Sequence, residues 1–131
     1  MTYGTFKTHL NALLLSDRTK GDDALLLPLL RQALNAVAIE CFALSLVSDD
    51  SADDILIALN KEGQFIRVPL LPENDDDFID IDESLCLAVV NVVASYIAKD
   101  KSVMVKCLAR ANEFMHNYRW TLYRAMESDD V

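Results

Sequence analysis

A chain of 131 residues is long enough for one domain with one hydrophobic core, and 52% hydrophobic residues exclude a disordered chain. With only three glycines and three prolines, an all-β fold with its many turns is disfavoured and long helices are favoured. The net charge of −9 argues against a DNA-binding domain, because affinity for DNA comes largely from basic side chains that neutralise phosphates.

The first predicted element is a short amphipathic helix from about Thr5 to Ser16. Its apolar residues recur on one face at helical spacing: Phe6, Leu10, Leu13 and Leu14. The segment SDRTKGDD interrupts this pattern, and Gly21 is a natural stop for a helix. Residues 1–21 are therefore predicted to form a short N-terminal helix and a linker.

No signal peptide or membrane-spanning segment is predicted. The N-terminus lacks a charged start followed by an apolar run. The longest stretch with almost no charge, Leu85 to Ala98, is shorter than the ~20 apolar residues that cross a bilayer. We therefore expect a soluble, cytoplasmic protein that makes no membrane contact.

A second, longer helix is predicted over residues 22–47, with its regular part from Asp23 to Leu46. An apolar stripe runs along it: Leu26, Leu30, Ala33, Leu34, Val37 and Cys41. Proline is tolerated in the first turn of a helix and disrupts a helix further on. At Pro28 we therefore expect either a break near Leu27 or a bend.

A β-hairpin is predicted over residues 54–69. Two β-prone runs, ILIA and FIRV, flank the turn NKEG, in which Gly63 can adopt the left-handed backbone conformation that such turns need. The prolines that follow end the second run, because proline cannot donate a ladder hydrogen bond. An isolated hairpin is marginal in water, so this one has to pack on the helices or on another chain.

Seven acidic residues lie between Glu73 and Glu83 in the stretch LLPENDDDFIDIDESL. A calcium loop needs glycine at its sixth position, where a loop counted from Asp75 has an aspartate, so that motif fails. The spacing DIDE instead has the form of a capping box, with Asp80 as the N-cap and Glu83 reaching back to its amide. Three interpretations stay open: a helix cap with a solvated loop, which we favour; a charged face toward a partner or the solution inside an assembly; and a metal site.

A central helix is predicted over residues 80–100. It is apolar nearly all round, which is typical of a helix that is covered on several sides. The expected fold is therefore mainly α: a bundle of about four helices with one β-hairpin inserted between the second and third long helices.

The last predicted helix covers residues 102–126, with Ser102 as its N-cap, and residues 127–131 are expected to be a flexible tail. Two apolar seams run side by side along this helix. The first comprises Val105, Leu108, Asn112, Met115 and Leu122. The second comprises Met104, Cys107, Ala111, Phe114 and Tyr118.

The sequence contains no pattern that is typical of catalysis or of cofactor binding. Cys41, Cys86 and Cys107 are far apart and lie in apolar segments, which indicates small buried side chains rather than a metal or redox pair. Neither His9 nor His116 belongs to a metal-spaced pair. We therefore expect no enzymatic activity, no catalytic residues, no metal and no cofactor.

The C-terminal segment NYRWTLYRAM is aromatic and basic, unlike the rest of the chain. Aromatic residues and arginine are enriched at interface hot spots. Two interpretations stay open: ordinary core packing with cation–π contacts, and a docking surface for a partner protein. The residues predicted for such a surface are Tyr118, Arg119, Trp120, Tyr123, Arg124 and Met126.

This order of elements resembles that of the head-to-tail adaptor proteins of tailed bacteriophages, also called connector or head-completion proteins. The likeness spans about Asp22 to Met126 and rests on element order and on the phrases IRVPLLP and DIDESLCLAVVNVVASYIA. It implies a helical structural protein that forms a ring, typically of twelve copies, beneath the portal at the capsid vertex. Such a ring extends the DNA channel and supports the tail.

The resemblance also implies partners and a location. The partners would be further copies of the chain, the portal, and tail or nozzle proteins, in a neck that is assembled in the host cytoplasm and belongs to the virion. The C-terminal region would dock on the portal, and the hairpin would contact a neighbour or the tail through Lys61, Phe65 and Arg67. DNA would pass nearby without specific binding, repelled by a channel or solvated acidic loop with Asp75, Asp76 and Asp77.

Three rival functions stay open. The net charge also suits an acidic inhibitor that mimics DNA and binds a basic enzyme, although many of the acids cluster in two loops rather than in a regular double row. A small enzyme or metal protein would use the cluster from Asp75 to Asp82. A generic helical protein–protein adaptor of a bacterial complex would share the same sequence features.

Overall fold

Helices and one small sheet make up the chain, as the scarcity of glycine and proline predicts. The computed structural model describes residues 1–14 and 23–129. The helices in these ranges are α1 (Tyr3–Leu14), α2 (Asp23–Cys41), α3 (Cys86–Ile97) and α4 (Lys101–Asp129). The strands are β1 (Val47–Ser48), β2 (Ile55–Ala58) and β3 (Phe65–Arg67), which form an antiparallel sheet of order β1-β3-β2. The predicted fold, mainly α with a β-hairpin between the second and third long helices, is confirmed.

The central helix α3 packs against α1, α2 and α4. Nine of its twelve residues are buried, which explains why it is apolar nearly all round. It is shorter than the predicted span of residues 80–100. A one-turn 3-10 helix, Glu83–Leu85, precedes it, and the extended backbone of Ala98 follows its last residue, Ile97.

The helix α2 ends at Cys41 and not at residue 47, because Phe42 adopts a left-handed backbone conformation with φ 49°. The Ala43 N–H donates to the Ala38 carbonyl at 3.3 Å, which closes the helix in the manner of a Schellman turn. Glycine normally occupies that position, because a residue with a Cβ pays ~1–2 kcal/mol there. The sequence therefore contains no signal for this end.

No break occurs near Leu27, because α2 continues through Pro28. Proline removes one backbone hydrogen bond, but Leu26 before it and Leu30 after it are buried, so the helix packs into the core on both sides of Pro28. By length and composition α2 would also be able to cross a membrane, a candidate that the sequence analysis missed. It packs here as a core helix with seven buried residues.

The sheet contains the predicted hairpin and one unpredicted strand. In the hairpin, Ala58 of β2 lies opposite Phe65 of β3, and Gly63 in the turn has φ 89°. The unpredicted strand β1 pairs with the other edge of β3. It has two residues, too few to show the alternation of apolar and polar side chains that indicates a strand. The register shifts between Ile55 and Ile57, which leaves Ile55 exposed.

The two terminal helices begin earlier than predicted. The helix α1 starts at Tyr3, and the predicted end of this helix at Ser16 and the predicted linker lie outside the described residues. The cap of α4 is Asp100 and not Ser102: its carboxylate accepts hydrogen bonds from the Ser102 N–H and hydroxyl, both at 2.8 Å. The helix α4 continues to Asp129, so residues 127–129 belong to it and not to a tail, and residues 130–131 lie outside the described part.

One side of α4 packs on the bundle. Its buried residues are Cys107, Ala111, Met115 and Tyr118, mainly the second predicted seam. Val105 and Leu108 of the first predicted seam are exposed. Of the two predicted seams the second therefore faces the bundle, whereas the first is exposed except at Met115 and Leu122.

Candidate interaction surfaces

The acidic loop between Glu73 and Glu83 is tied to the N-terminus. Three of its backbone hydrogen bonds do this: Tyr3 N–H to the Asp77 carbonyl (2.8 Å), Gly4 N–H to the Asp75 carbonyl (2.9 Å) and Ile79 N–H to the Met1 carbonyl (2.9 Å). The approach is close, since a Cβ added to Gly4 would lie 3.3 Å from the Asp75 carbonyl oxygen. The loop backbone is therefore held in one conformation.

Asp80 joins this loop to the sheet. Its carboxylate accepts two hydrogen bonds from the Arg67 guanidinium, at 2.5 and 2.8 Å, and one from the Leu70 N–H at 2.7 Å. Burial by itself raises the pKa of the Asp80 carboxyl, but the hydrogen bonds from Arg67 and Leu70 outweigh it and hold that pKa below its ordinary value. Asp80 is thus not the predicted helix cap, and Arg67 is not free for the predicted hairpin contact.

Asp82 joins the same loop to α4. The Tyr118 hydroxyl donates to the Asp82 carboxylate at 2.7 Å and accepts from the Leu44 N–H at 2.9 Å. The Ser45 N–H donates to the other carboxylate oxygen, also at 2.9 Å. Burial, and then the hydrogen bond to Asp82, raise the pKa of Tyr118 above its ordinary value despite the opposing Leu44 amide. Tyr118, predicted as part of a docking surface, is 7% exposed and belongs to the core.

Most of the remaining loop acids also have internal partners. The Asp75 carboxylate pairs with Lys7 at 2.7 Å, and Asp77 accepts hydrogen bonds from two amides of its own loop, at 2.8 and 2.9 Å. Glu83 pairs with the N-terminal amine and does not complete a capping box. Five of the seven acids are thus bound within the subunit: Asp75, Asp77, Asp80, Asp82 and Glu83. The predicted helix cap is therefore wrong, whereas Glu73, Asp75, Asp76 and Glu83 remain exposed to solvent.

The alternation of apolar and acidic residues at the end of the loop would have predicted these contacts. In Ile79-Asp80-Ile81-Asp82 the two isoleucines are buried and the two aspartates alternate with them. Apolar and polar residues that alternate indicate an extended segment lying on a core, not the first turn of a helix. Within residues 1–14 and 23–129, no group of three or more His, Cys, Asp or Glu side chains is arranged to hold a metal ion.

The free cysteines are packing residues. Cys41, Cys86 and Cys107 are all buried, as their apolar surroundings predict. Burial raises the pKa of the Cys41 and Cys86 thiols to about 11, so both are protonated near neutral pH and are poor nucleophiles.

The end of α4 presents what we call the aromatic surface: His116, Arg119, Trp120 and Tyr123 line an open groove of about 430 Å³. The Trp120 and Tyr123 rings stack with centroids 6.0 Å apart, and the Arg124 guanidinium lies 6.0 Å from the Trp120 ring. Trp120 is 53% and Tyr123 55% exposed. Arg119 forms an exposed ion pair with Glu40 of α2 at 3.1 Å. Of the residues predicted for docking, all except Tyr118 are accessible.

A second surface, the acidic groove, lies beside the loop. Leu70, Glu73, Asp77 and Phe78 are among the residues that line it, around a volume of about 390 Å³. Leu70 is 71% and Phe78 73% exposed. The sequence analysis named neither residue, because nothing in a single sequence distinguishes an exposed leucine or phenylalanine in a loop from a buried one.

The hairpin is a weaker candidate for a partner contact than the sequence suggests. Phe65 is buried in the sheet and Arg67 is bound to Asp80, so of the three predicted contact residues only Lys61, in the turn, is exposed.

Comparisons of this chain with protein-family models, with curated proteins and with solved structures found no match.

Proposed function

We propose that this chain is a structural subunit of a head-to-tail adaptor in a tailed bacteriophage, which assembles as a ring between portal and tail. The observation that supports this best is the aromatic surface, where two stacked rings stay about half exposed in one subunit. Aromatic and arginine side chains in such a position are typical of protein interfaces. The proposed role needs no catalytic residue, metal or cofactor.

A second surface supports an assembly role. A ring subunit contacts a neighbour on each side, and a contact between unlike surfaces can be repeated around a closed ring. The aromatic surface and the acidic groove have no residue in common, and both are accessible in one subunit. The portal and the tail would then meet further parts of the ring.

The negative charge fits a ring through which DNA passes. Repulsion between carboxylates and phosphates would keep the DNA from adhering to the wall. Of the three acids named for this role, Asp76 is the best candidate, because Asp75 and Asp77 bind within the subunit. We expect Asp76→Lys to slow DNA ejection from otherwise normal virions, with Asp49→Lys, in a different exposed loop, as the matched variant. If the Asp76→Lys virions eject DNA at the normal rate, Asp76 does not line the channel.

The internal contacts of the acids argue against the rival of a DNA mimic. Such an inhibitor needs rows of free carboxylates, whereas five of the seven acids in the loop have partners inside the subunit. A generic adaptor of another complex would show the same surfaces, and its genes would not lie beside portal and tail genes.

Electron microscopy of the full chain mixed with the portal protein of the same phage tests the proposal. We expect added density on one end of the portal, with the rotational symmetry of an oligomeric ring. Portal particles that gain no density in the presence of excess protein, together with failure to bind tail proteins, would contradict an adaptor role.

A further inference from the structure

The charge of the chain is divided between two regions. Residues 40–83 contain thirteen acidic and two basic residues, which gives −11, whereas residues 101–129 contain five basic and three acidic residues, which gives +2. The acidic groove belongs to the first region and the aromatic surface to the second. The acidic groove therefore lies in the strongly acidic part of the chain, and the aromatic surface lies in the part with a small positive charge.

The acidic groove continues into a second groove. Leu70 lines both, and the second groove, of about 210 Å³, adds Asp53, Asp54 and Arg67, the last of which pairs with Asp80. The exposed Leu70 side chain thus has carboxylates in the grooves on both sides, and the exposed Phe78 side chain shares the first groove with Glu73 and Asp77. Such a surface fits an apolar or aromatic partner that is flanked by basic groups.

The loop that carries Phe78 is rigid in advance of binding. Residues on either side of it are fixed by hydrogen bonds to the N-terminus, and Asp80 is held by Arg67 and the Leu70 amide. Phe78 itself forms a backbone bridge with Thr2. A backbone that is already ordered loses little entropy on docking, so this loop is suited to present an interface anchor.

The aromatic surface has the complementary chemistry. Its two stacked rings supply apolar area, and Arg124, His116 and Arg119, which pairs with Glu40, lie around them. We propose that the aromatic surface of one copy docks in the acidic groove of the next copy, and that this is the contact that repeats around the oligomer. The inference rests on the proposed assembly role and names the partner of the aromatic surface, and it is tested without the portal.

Two variants separate the two halves of this contact. Trp120→Ala with Arg124→Glu alters the aromatic surface, and Phe78→Ala with Glu73→Arg alters the acidic groove. We expect the wild-type chain to self-associate in sedimentation experiments, more weakly at high salt. Each variant alone should self-associate at least about 30-fold more weakly, because interface anchors of this kind contribute ~2 kcal/mol or more.

Mixing the two variants gives the decisive result. Each one retains the half that the other lacks, so together they should form a 1:1 complex that grows no further, whereas wild type forms larger species. The matched control is Val105→Ala with Lys106→Glu, which makes the same kind of change on the exposed side near the start of α4 and should self-associate like wild type. Circular dichroism checks that each variant is folded.

Three outcomes would overturn the inference. Wild type could stay monomeric at the highest concentration it tolerates, the mixed variants could fail to pair, or the Trp120 variant could self-associate like wild type. If that variant self-associates normally but no longer binds the portal, the aromatic surface belongs to the portal contact, and the adaptor role stands while this inference fails. If the 1:1 complex forms but the portal is never bound, the docking stands and the adaptor role fails.

Discussion

The acidic loop and the end of α4 both differ from what their compositions indicate. An acidic loop is expected to have few contacts inside the subunit, and an aromatic helix end is expected to pack in the core. The loop is rich in aspartate, and it packs against the N-terminus, the sheet and α4 through contacts of its carboxylates and backbone. The end of α4 is rich in aromatic residues, and most of these are exposed. The difference teaches that the available partners, and not the residue types alone, decide which side chains have contacts inside the subunit.

The partners differ for a geometric reason. At ~1.5 Å per residue, the 29 residues of α4 span about 43 Å and the 12 residues of α3 about 18 Å, so α3 can cover less than half of α4. In the loop, in contrast, the two partly buried carboxylates, Asp80 and Asp82, lie where amides and Arg67 satisfy them, and a charge is tolerated away from water only under that condition.

The largest effect should separate the two tyrosines of α4. Tyr118→Ala removes a buried ring and leaves Asp82 without its hydroxyl donor, so we expect a loss of about 3–5 kcal/mol in the free energy of unfolding. Tyr123→Ala, on the exposed side of the same helix, should change it by no more than ~0.5 kcal/mol. Urea denaturation measures both, and equal losses would mean that Tyr123 also supports the fold.

A smaller effect is expected within the loop. Asp80→Ala leaves Arg67 without its carboxylate and should cost about 1–2 kcal/mol of stability. That is less than the ~3–5 kcal/mol of a fully buried pair, because the two side chains remain 22% and 23% exposed. Asp76→Ala, four residues away on the exposed part of the loop, is the matched control and should be neutral. If both substitutions are neutral, the pair contributes nothing measurable.

Acid should weaken the loop before it affects the end of α4. The pKa values of Asp80 and Asp82 are held below their ordinary values, since hydrogen bonds to the charged forms outweigh burial. A carboxyl whose pKa is lower in the folded state stabilises the protein fully above its unfolded pKa of about 3.9. This contribution is lost as the pH falls through the lower folded pKa.

We therefore expect a loss of stability below about pH 4 that is partly absent in Asp80→Asn with Asp82→Asn. Urea denaturation across a pH series measures it, with Asp75→Asn and Asp76→Asn together as the control. An unchanged pH dependence in the double Asp80 and Asp82 variant would show that other groups cause the acid sensitivity.

The parts of the fold that could be predicted are those determined by the spacing of residues close together in the sequence. Helical spacing identified all four helices, and the turn residues around Gly63 identified the hairpin. What the sequence could not show are contacts between distant residues, such as that between Asp82 and Tyr118. It also could not show a helix end at Phe42, where tertiary packing imposes a conformation that a phenylalanine normally avoids.

Contacts between distant residues also decide how much of the two surfaces is visible in the sequence. Sequence reasoning found the aromatic surface because aromatic and basic residues alternate there in one short segment. It missed the acidic groove because Leu70 and Phe78 come together only when the loop folds back on the N-terminus. It assigned Tyr118 to the wrong side of α4, since a helical position alone does not tell which face the neighbours cover.

The smallest effect on stability should come from Phe78, and a second phenylalanine makes the comparison sharp. Phe78→Ala removes a ring that is mostly in water, so the free energy of unfolding should change by no more than ~0.5 kcal/mol. Phe65→Ala removes a ring that is buried in the sheet and should cost ~3 kcal/mol or more. If Phe78→Ala destabilises the subunit as much as Phe65→Ala does, the ring holds the loop in place. An anchor for a neighbouring copy would then have to be sought elsewhere on the acidic groove.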